Sequence, residues 1–66
     1  MQIILNGESH LLEGDISLLA LLETLEVEKK HTALMLNGAV IPATNWNEYT
    51  LKENDEVEMM VFVGGG

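Results

Sequence analysis

The sequence closes on Val61-Phe62-Val63-Gly64-Gly65-Gly66, three glycines set directly behind an apolar, strand-like run. Having no Cβ, glycine can pass through a channel too narrow for any other residue. Three extended residues reach about 10 Å past the last packed side chain, at roughly 3.3–3.6 Å each. With Gly66 as the last residue, the tip is an α-carboxylate. It is ionised at neutral pH and inert to nucleophiles until one oxygen becomes a good leaving group, as adenylation makes it. A frayed end is the competing reading of any terminus. The abrupt passage from strand to glycine favours a working tail at 64–66 on a single domain at 1–63.

The other residue types offer less chemistry. His10 and His31 have no cysteine or patterned histidine partner, so both read as ordinary surface or edge histidines and no metal site is expected. The eleven acidic residues are scattered, and no general acid–base pair can be singled out. No glycine-rich phosphate loop joins a strand to a helix, and no spacing supports a Ser/His/Asp set. The expectation is a protein that catalyses nothing and binds no cofactor of its own, but is acted on by others.

Eleven acidic residues against three lysines and no arginine give a formal charge of −8. That balance opposes nucleic acid and anionic membrane as partners, since both require a basic surface. It serves solubility, or it steers the chain to a basic surface on another protein. No apolar run reaches the length of a membrane span and no signal-peptide n-region opens the chain, so a cytoplasmic location is the default expectation.

The elements that must hold such a tail follow from periodicity. Met1-Gln2-Ile3-Ile4-Leu5-Asn6 reads as a strand with Met1, Ile3 and Leu5 on one face. Asn6-Gly7 is a strong two-residue hairpin signal, because both positions tolerate positive φ. Glu8 to Glu13 is the returning strand, with Leu12 placed inward. The stretch from Gly14 to Lys30 holds the one helix. Ser17 is its N-cap, with Asp15 competing, and Ile16 can staple against Leu21. Leu18, Leu21, Leu22 and Leu25 make one apolar stripe, and Lys29 and Lys30 follow the end, where the helix dipole favours cations.

A third strand spans Thr32 to Leu36, a second turn falls at Asn37-Gly38, and a short extended piece runs to Pro42, which blunts it. A loop with one helical turn carries Trp46, expected over the sheet edge. Glu56 to Val63 is the final strand. The order ββαββ, with a right-handed crossover and the last strand parallel to the first, is an α+β fold of β-grasp, ubiquitin-like type: one main helix on a mixed sheet.

Taking Ile3, Leu5, Leu34, Leu36, Val57, Met59 and Val61 as the helix-facing set, alternation puts Ile4, Met35, Met60 and Phe62 on the opposite face. Four large apolar side chains on the open face of a small acidic domain mark a partner-binding patch, and methionine adapts well to a partner. Cover by a loop or by a second copy is the alternative.

The opening Met1-Gln2-Ile3-Ile4-Leu5-Asn6-Gly7-Glu8, the Leu36-Asn37-Gly38-Ala39-Val40-Ile41-Pro42 segment, Trp46, the run from Leu51 to Glu58 and the glycine end together resemble the ThiS family of sulfur carriers over essentially all 66 residues. The resemblance implies that a ThiF-like E1 adenylating enzyme joins the Gly66 carboxylate to AMP using ATP. Sulfur from a cysteine-desulfurase route then displaces AMP, leaving a covalent thiocarboxylate on Gly66. A ThiG-like thiazole synthase takes the sulfur in thiamine biosynthesis. Gly65 and Gly66 carry over directly, and Gly64 adds reach. The related MoaD carriers of molybdopterin synthase, a ubiquitin-like modifier and a plain interaction domain are the alternatives.

Overall fold

The computed structural model describes residues 1–62 of the chain. Both Asn-Gly pairs form the expected turns. The backbone has positive φ at Asn6 (50°) and Gly7 (82°), and again at Asn37 (50°) and Gly38 (87°). Positive φ at both central residues is the turn whose twist matches that of the flanking strands. Each turn therefore closes a hairpin: β1 (Gln2–Leu5) with β2 (Glu8–Leu11), and β3 (Thr32–Leu36) with β4 (Ala39–Ile41), both antiparallel.

The last strand, β5 (Glu56–Val61), joins the two hairpins into one five-stranded sheet of order β2-β1-β5-β3-β4. It runs parallel to β1, with Ile4 opposite Glu56, and antiparallel to β3, with Leu34 opposite Met59. The mixed sheet with a parallel first and last strand is the β-grasp arrangement.

The helix α1 spans Leu18–Leu25, and its N-cap is Ser17, whose hydroxyl accepts from the Ala20 N–H at 3.1 Å. Asp15, the competing cap, is not used. The helix ends earlier than its sequence stretch suggests: Glu26 takes a left-handed conformation (φ 60°, ψ 40°) and Val27 drops back against the core. Lys29 and Lys30 consequently stand in a separate 3-10 turn, Lys29–His31, and no basic residue lies in the last turn of α1.

The core forms between α1 and one sheet face. Leu18, Leu21 and Leu22 meet Ile3, Leu34, Ile41 and Val57, all buried. Leu5, Leu36 and Met59 pack partly against the same cluster. Val61 lies on the same sheet face as Val57 and Met59, as assigned, but is 43% exposed rather than covered by the helix. An eight-residue helix is about 12 Å long and does not cover the end of a six-residue strand of about 20 Å.

Two core residues come from outside the periodic segments. Trp46, in the 3-10 helix Ala43–Glu48, is fully buried, and its indole N–H donates to the Ile41 carbonyl at 2.8 Å. It is therefore tied to β4, the edge strand of the sheet, as expected, but is buried there as a full member of the core. Leu51 is equally buried, held by its N–H to the Ile16 carbonyl at 2.8 Å.

Candidate functional site

The strand that leads to the glycines is fixed from both sides by the two hairpin turns. On one side, Asn6 N–H donates to the Val57 carbonyl at 2.8 Å, and the Asn6 Oδ1 accepts from Met59 N–H at 2.7 Å. On the other, Asn37 N–H donates to the Glu56 carbonyl at 2.7 Å, and its Oδ1 accepts from Glu56 N–H at 2.9 Å. Each asparagine therefore serves twice: its backbone makes the turn and its side chain extends the pairing of β5.

Asp55 sets the entry to that strand. Its Oδ2 accepts from the Lys52 N–H at 2.8 Å, closing the turn before β5, and its Oδ1 accepts from Asn37 Nδ2 at 3.1 Å. Leu51, Asp55 and Val57 thus form one unit: two buried anchors flank a carboxylate that ties the turn to the neighbouring hairpin. The spacing of Leu51, Asp55 and Val57 within the run from Leu51 to Glu58 has its physical reason here.

The open face follows from the register, since directly paired residues point to the same side. Ile4 is opposite Ser9 and Glu56; Met35 is opposite Glu58 and Val40; Ala33 is opposite Met60. The structure therefore brings Ile4, Met35 and Met60 together on the face away from α1, and Phe62, two residues after Met60, continues their phase. Ile4 and Met35 are half-buried by their neighbours, whereas Met60 is 49% and Phe62 61% exposed.

Two further apolar residues belong to this face. Leu11, opposite Gln2, is 77% exposed, and Val40, opposite Met35, is 68% exposed. Placing Leu12 inward already turns Leu11 outward, but sequence reasoning counts neither it nor Val40 in the patch, because they lie in strands of three or four residues too short to show a phase. The signal was there in pairing across the turns: once Asn6-Gly7 and Asn37-Gly38 are two-residue loops, Leu11 and Val40 must share a face with Gln2 and Met35. The face is also acidic at its centre, where Glu56 and Glu58 stand between Ile4 and Met35.

β5 ends with the Phe62 N–H donating to the His31 carbonyl at 2.7 Å. Gly64, Gly65 and Gly66, the expected tail, lie outside the described residues, as does Val63. No helix among the described residues is long and apolar enough to cross a membrane.

The same combination occurs in known proteins. The crystal structure of thiamine biosynthesis protein ThiS from Geobacter metallireducens superposes with a TM-score of 0.86 at 30% identity, over 100% of each chain. Two thiazole synthases match all 66 residues, one from Paramagnetospirillum magneticum at 27% identity and one from Magnetococcus marinus at 36%. The chain spans only 20% of the length of each. The model of the ThiS family matches residues 3–66, so the match runs through both hairpins, the helix and β5 to the glycine ending. This chain belongs to the ThiS family.

Proposed function

We propose that this chain is a sulfur carrier of thiamine biosynthesis, and that its Gly66 carboxylate is the carrying group. A carboxylate oxygen attacks the α-phosphorus of ATP in the site of a ThiF-like adenylating enzyme, and pyrophosphate leaves. Sulfide sulfur, supplied by a cysteine-desulfurase route, then adds to the acyl carbon and AMP departs with the bonding electron pair. The product is a thiocarboxylate whose sulfur goes to a ThiG-like thiazole synthase. The chain itself supplies no acid or base to these steps. Its part is to offer a slim end directly behind a hydrogen-bonded strand, with Ile4, Met35, Met60 and Phe62 as the surface the partners grip.

The observation that carries this reading is the family match across residues 3–66, which includes the glycines, on a fold with a TM-score of 0.86 to a ThiS structure. The described geometry supports it further: the exposed Met60 lies on the last strand and the exposed Phe62 directly follows it, on the way to the tail, so one partner can engage patch and tail at once.

Intact-mass spectrometry tests the proposal after incubation with an adenylating enzyme of this family, ATP and a sulfur source. A gain of about 16 Da, oxygen replaced by sulfur once the acyl-adenylate is attacked, is expected. Conjugation to lysines would point instead to a protein modifier, and an unchanged mass would refute the carrier role.

A further inference from the structure

Two of the three lysines and one of the two histidines of this acidic chain are consecutive: Lys29, Lys30 and His31. All three are exposed and form a single 3-10 turn. Helix charge compensation does not account for them, since α1 ends at Leu25 and an αL residue and two more separate it from Lys29. Nor are they held in strong pairs. Lys29 reaches Glu23 at 3.0 Å, but both side chains are about half exposed, and exposed pairs of this kind contribute little. Among the described residues Lys30 and His31 make no ion pair.

The turn is closed by hydrogen bonds and tied to the strand that leads to the tail. Thr32 Oγ1 donates to the Glu28 carbonyl at 2.6 Å, and His31 N–H donates to the same carbonyl at 3.2 Å. The His31 carbonyl in turn accepts from Phe62 N–H at 2.7 Å, and Thr32 pairs with Val61. The one concentration of positive charge on the chain therefore sits at the root of the glycine tail, beside exposed Val61 and Phe62.

We propose that the Lys29-Lys30-His31 turn is a docking element for a carboxylate-lined rim on the adenylating partner, beside the opening that admits the tail; this rests on the carrier reading above. Charge complementarity selects the occupant. Two adjacent lysines, set among exposed Glu23, Glu26 and Glu28, favour the docked orientation that places an acidic group against them. The nucleotide phosphates are not that group if the tail enters a narrow channel, since four residues drawn out would span about 13–14 Å beyond Phe62, more than a lysine at the root can reach. The adenylating enzyme is the occupant assigned here because, on the carrier reading, it is the partner that must first admit the tail whose root this turn flanks.

The test is ATP–pyrophosphate exchange catalysed by the adenylating enzyme, measured against carrier concentration for the native chain, Lys29→Glu/Lys30→Glu and Lys29→Arg/Lys30→Arg. The reversal should raise KM about tenfold with kcat unchanged, the effect shrinking as salt is added. The arginine variant should behave as native. The sign is informative: reversal makes the chain still more negative, which would improve general attraction to a basic partner, so a weaker encounter identifies a local acidic contact. Equal KM in native and reversed chains, with native exchange intact, would overturn the docking role alone. Absence of exchange with the native chain would overturn the carrier reading and, with it, the occupant assigned here.

Discussion

The Asn6 side chain accepts a hydrogen bond from the Met59 N–H at 2.7 Å, across 53 residues of sequence. β1 leaves the ladder at Leu5, yet the pairing of β5 continues for one more step because the amide oxygen stands in for a strand carbonyl. Two Asn6 variants separate its roles. Asn6→Gly keeps the positive φ and loses the acceptor, and should cost about 1 kcal/mol. Asn6→Ala loses both, and should cost roughly 1–2 kcal/mol more for a Cβ in the left-handed region. Urea denaturation gives the ranking, and amide exchange gives the mechanism: Met59 N–H should lose protection in both variants. Undiminished protection in Asn6→Gly would show that the side chain is not the acceptor that matters.

The left-handed Glu26 makes the opposite prediction. A β-carbon at φ 60° is strained, and glycine is the usual residue at the end of a helix in this conformation. Glu26→Gly should raise stability by about 0.5–1 kcal/mol, or on the order of 4 °C in Tm for a domain of this size. An unchanged or lower Tm would mean that the unfolded chain gains as much freedom from glycine as the fold gains relief.

Trp46 carries more of the fold than its position in a 3-10 segment suggests. Trp46→Ala should cost about 3–5 kcal/mol, which approaches the whole stability of a 66-residue chain at roughly 0.05–0.15 kcal/mol per residue. Trp46→Phe keeps most of the volume but leaves the Ile41 carbonyl without its donor, and should cost about 1–3 kcal/mol. Circular dichroism against denaturant measures both; a neutral Trp46→Phe would remove the hydrogen bond from the account.

The exposed face should tolerate charge where the core does not. Met60→Glu and Phe62→Asp should change Tm little, within about 0.5 kcal/mol of native stability, while weakening binding to the adenylating enzyme by roughly tenfold or more. Calorimetric titration beside a thermal melt distinguishes the two effects. A steep loss of Tm in either variant would mean that the side chain is structural.

The tail chemistry predicts an all-or-none response to length. One alanine added after Gly66 moves the carboxylate off the activated position and leaves the fold untouched, so sulfur loading followed by mass should vanish. Loading of the extended chain at the native rate, without trimming, would contradict the role given to Gly66.

Much of this architecture was legible from short-range signals. Two Asn-Gly pairs named both hairpins, because few other dipeptides accept positive φ twice in succession. The leucine stripe from Leu18 to Leu25 named the helix, and the alternation of Ile3, Leu34 and Val57 named its sheet face. What escaped was set by tertiary contact. The helix end at Glu26 carries no glycine or asparagine to announce it. Trp46 and Leu51 enter the core from segments without period, where burial depends on what lies above them. Leu11 and Val40 join the open face only through pairing across the turns, and the Asn6–Met59 bond links residues that no local window contains together.

Placing β5 at the centre of the sheet has a consequence for how the chain acquires its shape. The two hairpins flank it and do not pair with each other, so both emerge from the ribosome before the strand that unites them exists. Contacts such as Ile4 with Glu56 close loops of some fifty residues, an ordering that slows folding and defers it until synthesis of this segment is nearly complete. A chain cut before Glu56 should behave as two unjoined ribbons and a loose helix, so quality control on nascent protein would see an unfinished domain until its last strand is made.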